Sequence, residues 1–184
     1  MEVKAVVFDA GETLINESRQ WRMWAEWLGV PDHAFFAVLG AVIERGEHHR
    51  RVFEILKPGF NLEEEREKRR QAGVPDESDA RDLYPDALEC LTRLRARGLR
   101  TGVAANQPAG FEDRIRELEL PVDLIASSSR WAVEKPSPEF FRRIADELQL
   151  PAGAVAYVGD RLDNDVLPAL DAGMVEMFEV SIDG

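Results

Sequence analysis

The strongest limit on what this chain can fold into lies in its second half, where helical and strand-like patterns alternate from Tyr84 and Pro85 onward. A helix through Leu88, Leu91 and Leu94 stops at Gly98, and residues 99–105 read as a strand. A helix over residues 111–118 leads to a short strand at residues 122–126, and a helix over residues 138–148 leads to a strand at residues 154–158. A last helix over residues 166–172 closes at Gly173, and the apolar stretch at residues 174–180 reads as a fifth strand. Near the start, residues 3–8 form an almost continuous Val-rich apolar run bounded by Asp9, Ala10 and Gly11, the pattern of a strand buried on both faces. Strands alternating with helices of this length predict an α/β fold, a doubly wound parallel sheet with a Rossmann-like core. Ligands then bind at the carboxyl ends of the strands.

Between these parts the pattern is helical. Trp21, Trp24, Leu28, Phe35, Val38, Leu39 and Val42 recur at three- and four-residue intervals, and the charged stretch NLEEEREKRRQAG reads as a solvated helix face that stops at Gly73. Residues 15–83 are therefore expected to form a small α-helical insertion, with residues 1–14 and 84–184 making the α/β core. The spacing of Trp21, Trp24 and Trp27 is that of core packing. His48, His49, Arg50 and Arg51 fit a solvated helix face, with no spacing that suits zinc.

With 184 residues there is room for one well-cored domain and an insertion, but not for two large independent domains. The formal net charge of −12 argues against nucleic acid and anionic membranes as partners. Cys90 is the single cysteine, and it sits in a leucine-rich run that suits a buried thiol in a reducing cytoplasm. The opening MEVKAVVFDA has too short an apolar stretch for a signal peptide, and no run is apolar and long enough to span a membrane. A cytoplasmic location is expected.

Chemistry-bearing residues collect at the predicted strand ends. Asp9 is the first polar residue after the first strand, placed as either a turn aspartate or a nucleophile that takes up a phosphoryl group. The segment VAYVGDRLDNDV sets Asp160, Asp163 and Asp165 just past the fourth strand. Asp163 or Asn164 can cap a following helix. If the first and fourth strands are neighbours, Asp9 and Asp160 converge, and close carboxylates stay ionised when a cation lies among them. Oxygen ligands of this kind suit Mg²⁺, which keeps several waters and takes phosphate oxygens as further ligands. Asp9, Asp160 and Asp165 are the expected metal ligands. Lys135 precedes Pro136, which imposes an extended backbone, and Ser137-Pro138 opens a helix; beside carboxylates and a phosphate it would supply positive charge. Asn106 follows the second strand, where its amide and neighbouring N–H groups would be phosphate donors.

In this order and spacing, Asp9 and Thr13, then Lys135, then Gly159, Asp160 and Asp165, the chain resembles the haloacid dehalogenase superfamily of hydrolases. The resemblance covers nearly the whole chain. It implies that Asp9 is the nucleophile and a magnesium ligand, that Asp160 and the Gly11 carbonyl are further magnesium ligands, that Lys135 is the charge clamp, that Asp165 is an orienting second acid of the metal site, and that Thr13 belongs to the phosphate-binding motif. The helical insertion takes the place of that family's small cap. Two positions depart from the pattern. Gly11 stands where phosphatases of the family carry a general acid, a loss that costs roughly 10²–10⁴ in rate. Glu12 is adjacent but faces the wrong way if the loop keeps the family shape. Ala105 stands where the family has Ser or Thr, which removes a hydroxyl donor worth about 1.5–3 kcal/mol.

The resemblance admits three activities. The first is a magnesium-dependent phosphatase acting on a small phosphorylated metabolite through an aspartyl-phosphate. The second is a metal- and phosphate-binding regulatory module with impaired turnover, and the third a dehalogenase-like carbon–halide hydrolase, against which the retained acid cluster speaks. The chain ends soon after the fifth predicted strand. Monomer and homodimer both stay open.

Overall fold

The computed structural model describes residues 2–74 and 78–175. The chain divides into two compact units, one made of Met1–Asn16 and Asp79–Gly184, the other of Glu17–Ser78.

The first unit is built on four parallel strands, β1 (Ala5–Phe8), β2 (Arg100–Ala105), β3 (Leu124–Ser127) and β4 (Val155–Val158), in the order β3-β2-β1-β4. The first strand is central. Phe8 is in register with Val103 on one side and Val158 on the other, so the carboxyl ends of β1, β2 and β4 lie at one level. Side chains alternate between the two faces of the sheet. Ala5 and Val7 point to the layer that contains Phe140, Phe141, Ile144, Leu148 and Tyr157, while Val6 and Phe8 point to the layer that contains Leu91, Val103, Phe111 and Ile115. A sheet buried on both faces has no use for polar alternation, which is why β1 and β4 read as unbroken apolar runs. This is the α/β arrangement expected from the alternating pattern. The fifth predicted strand falls largely outside the described residues; Val175, its second residue, makes a parallel bridge to Ala156.

Within this unit the flanking helices, numbered in chain order after the four of the second unit, are α5 (Ala87–Ala96), α6 (Phe111–Glu117), α7 (Ser128–Trp131), α8 (Pro138–Leu148) and α9 (Leu167–Asp171). Helix α8 shows how locally the sequence writes its own start. Ser137 accepts a hydrogen bond from the Glu139 N–H, and Pro138 occupies the first turn, where its missing N–H costs nothing. The segment after β4 departs from expectation. Residues 162–166 form a π-helical turn, and neither Asp163 nor Asn164 caps a helix: Asp163 takes two hydrogen bonds from Arg161, and the Asn164 amide donates to Asp165.

The second unit consists of α1 (Ser18–Leu28), α2 (Asp32–Glu44), α3 (Arg51–Leu56) and α4 (Leu62–Gln71). Its core is aromatic, with Trp24, Phe35 and Phe53 buried together. The fully buried Arg69 lays its guanidinium 3.9 Å from the centroid of the Trp24 ring, a cation–π contact that offsets part of the cost of burying the charge. Trp27 donates from its indole N–H to Glu65 at 2.8 Å. The spacing of these tryptophans thus records a folded core. Among the described residues no single helix is long and apolar enough to cross a membrane.

Candidate active site

The parallel register carries Asp9 and the residues after β4 to the same end of the sheet. The Asp9 N–H donates to the Val158 carbonyl at 2.7 Å, extending the β1–β4 ladder by one step and fixing where the Asp9 side chain leaves the sheet. One carboxylate oxygen from each of Asp9, Asp160 and Asp165 lies within 4.8 Å of the other two.

Lys135 sits among these acids. Its ammonium lies 2.8 Å from Asp9 and 2.6 Å from Asp165, and its side chain is 1% exposed. Asp165 is fully buried and the Asp9 side chain is 13% exposed. A buried charge is tolerated when it is paired and hydrogen-bonded, and one lysine shared between two carboxylates meets that condition for all three groups. Burial is the chief influence on Asp9 and raises its pKa, with Asp165 adding to the rise and Lys135 opposing it. For Lys135 burial works downward, but the charge of Asp9 and then its other neighbours outweigh it, so the ammonium titrates well above its usual range.

Asp160 is the exposed member of the cluster. Although it opens to solvent, loss of water on its protein side, followed by the charges of Asp9 and Asp165, pushes its carboxyl up to about 7. A carboxylate strained in this way by like charges gains most from a cation.

Three features hold the cluster in shape. Gly159 leaves the space that Asp165 fills, since a Cβ at position 159 would meet the Asp165 carboxyl carbon at 2.5 Å. Asp165 also accepts a hydrogen bond from the Arg161 N–H at 3.1 Å. Asn106 clamps the lysine loop from the other side: its side-chain oxygen accepts from the Lys135 N–H at 2.8 Å and its amide donates to the Lys135 carbonyl at 2.9 Å. With one amide hydrogen given to the Lys135 carbonyl, the other is the hydrogen that Asn106 could offer to an anion.

Thr13 carries a buried hydroxyl with no hydrogen-bond partner among the described residues, an orphaned donor at four residues from Asp9. Gly11 forms a bridge to Ile15 in the same loop. Glu12 accepts a 2.7 Å hydrogen bond from the Tyr84 hydroxyl. Ala105 ends β2 in register with Ser127, whose hydroxyl donates to Glu112 at 3.0 Å instead of turning toward the acid cluster.

Tyr157 was not legible as a site residue. From β4 its ring lies 5.4 Å from the Lys135 ammonium, and its hydroxyl reaches across to the Ala104 carbonyl at 2.7 Å. In the sequence it is one more residue of a buried strand.

The donor set fits magnesium. Its three carboxylates are hard oxygen ligands, one of them exposed, and the buried lysine balances part of their charge.

Comparison with known proteins shows the family and the fold. The model of the haloacid dehalogenase-like hydrolases matches residues 3–173. A glyceraldehyde 3-phosphate phosphatase of Methanopyrus kandleri is 28% identical over 94% of this chain and 82% of its own length. A phosphoglycolate phosphatase of Rhodospirillum rubrum is 35% identical over 55% of this chain and 43% of its own length. Among solved structures, a dehalogenase with an intermediate complex superposes with a TM-score of 0.73 at 18% identity, covering 100% of this chain and 88% of that one. A phosphatase from Thermococcus onnurineus superposes with a TM-score of 0.62 at 22% identity, covering 99% of this chain and 88% of that one. Structural likeness at these identities speaks for the fold, and the family match over residues 3–173 establishes the rest: the chain belongs to the haloacid dehalogenase-like hydrolases.

Proposed function

We propose that this chain is a magnesium-dependent phosphatase that acts on a small phosphorylated metabolite through a phosphorylated Asp9. The observation that carries the reading is the convergence of Asp9, Asp160 and Asp165 around the buried Lys135 at the carboxyl end of a parallel sheet. The phosphatases among its relatives support the same class of substrate.

In this reading Asp9, Asp160 and Asp165, with the Gly11 carbonyl, hold the ion. Bound there, magnesium would neutralise phosphate charge and orient the phosphoryl group. Asp9 attacks phosphorus with a carboxylate oxygen. Lys135 keeps Asp9 ionised in a buried setting and aims it, since its ammonium also binds the fully buried Asp165. Asn106 fixes the backbone of that lysine, and the Thr13 hydroxyl, unpartnered among the described residues, serves as a phosphate donor. The helical unit, within the insertion at residues 15–83, acts as a cap that selects substrate.

Phosphate release from a panel of phosphorylated metabolites, with Mg²⁺ or EDTA, tests the proposal. Turnover that needs the metal and disappears in Asp9→Asn is expected. No release from any member, with calorimetry still showing Mg²⁺ binding, would favour a regulatory binding module instead.

A further inference from the structure

The supply of protons around Asp9 narrows what the site can turn over. Displacement by Asp9 leaves an electron pair on the departing oxygen. If that oxygen becomes an alkoxide, a proton must reach it as the bond breaks; if it becomes a carboxylate, an enolate or an acidic phenolate, none is needed. Among the described residues of the sheet unit, the protonatable side chains around Asp9 are already committed. The Lys135 ammonium is buried between Asp9 at 2.8 Å and Asp165 at 2.6 Å. Asp160 and Asp165 complete the carboxylate cluster and are needed there as anions. Glu12, held at a φ of 52°, accepts the Tyr84 hydroxyl at 2.7 Å. The buried Tyr157 hydroxyl donates to the Ala104 carbonyl. Position 11, two residues beyond Asp9, is glycine, and Thr13 and Asn106 are not acids at neutral pH.

We infer that this chain acts on phosphoryl compounds whose leaving group departs without a proton, namely acyl phosphates, enol phosphates and esters of acidic phenols, in preference to alkyl phosphate esters. The inference rests on the phosphatase reading and sets the leaving-group class within it. In the first step a carboxylate oxygen of Asp9 bonds to phosphorus while the bond from phosphorus to the leaving oxygen breaks, and the leaving group departs with the electron pair as an anion. In the second, a water oxygen bonds to phosphorus, the bond between phosphorus and Asp9 breaks, and the water proton passes to solvent. Inorganic phosphate and the Asp9 carboxylate are restored.

The test is kcat/KM with Mg²⁺ for acetyl phosphate and for aryl and alkyl phosphate monoesters of rising leaving-group pKa, in the wild type, Asp9→Asn and Gly11→Asp. Gly11 is not among the positive-φ glycines, so its backbone accepts an aspartate. A steep fall with leaving-group pKa is expected in the wild type. Gly11→Asp is expected to raise the ratio of alkyl-ester to acetyl phosphate turnover by roughly 10²-fold or more, the usual yield of a positioned acid. Alkyl esters cleaved by the wild type as fast as aryl esters would overturn the inference and leave the phosphatase reading standing. No Asp9-dependent release from any compound, acetyl phosphate included, would overturn both. Should Gly11→Asp fail to fold by circular dichroism, the slope of the wild-type series decides alone.

Discussion

Gly159 and Asp165 share one space: a Cβ on residue 159 would lie 2.5 Å from the Cβ of Asp165 and 2.6 Å from its Oδ2. The glycine is required by packing rather than by backbone conformation, since its φ is not in the left-handed region. Gly159→Ala is therefore expected to push Asp165 away from Lys135, costing about 1–3 kcal/mol as an overpacked core site does. Thermal melts give the stability loss, and calorimetry with Mg²⁺ should show weaker binding in the same variant. Unchanged values in both would mean that the loop absorbs a methyl group freely.

Removing the lysine should cost more than removing a surface ion pair. Lys135→Met leaves Asp9 and Asp165 with no protein cation in a buried cluster, and breaking a buried pair in this way costs about 3–5 kcal/mol. The variant should melt well below the wild type, and adding Asp165→Asn to it should recover part of the loss. A double variant no more stable than the single one would contradict the charge argument.

Asn106 is expected to act through Lys135. Asn106→Ala deletes two hydrogen bonds to the lysine backbone, each worth about 0.5–1.5 kcal/mol. Loosening the lysine loop should lower kcat more than it raises KM. A rise in KM alone would instead assign the side chain to phosphate binding.

The pH dependence of the metal-free protein is set in part by Asp160. Its carboxyl, pushed up to about 7 by burial and then by Asp9 and Asp165, binds its proton more tightly in the folded chain than in the unfolded one, where a value of about 3.9 is usual. Over that window the folded state carries more protons, so this group lowers stability as pH rises from about 4 to about 7. In EDTA, Asp160→Asn should match the wild type near pH 4 and melt above it at pH 8. With Mg²⁺ the order should reverse, because the wild type gains binding energy that the variant lacks. Melting curves at several pH values check both arms.

The α/β class, the chain order of the strands and the positions of Asp9, Lys135, Asp160 and Asp165 at segment ends are legible in the amino-acid sequence, because burial on both faces leaves unbroken apolar runs and a polar residue after such a run marks the edge of the sheet. Gly11 and Ala105 are equally plain, being absences of side-chain chemistry. Features that depend on long-range contact leave no such local mark. Tyr157 looks like any strand residue until the pairing of β4 beside β1 sets its ring under an ammonium 22 positions earlier in the chain. Asn106 reads as a turn former until its amide meets the Lys135 backbone, 29 residues away. The cap expected from Asp163 or Asn164 failed for a related reason: Arg161 is near enough to claim Asp163, and the turn after it widened to a π-helix around the buried Asp165. Local patterns determine which segments become strands and helices, whereas the partner of each polar group is decided only when the sheet brings distant segments within hydrogen-bonding range.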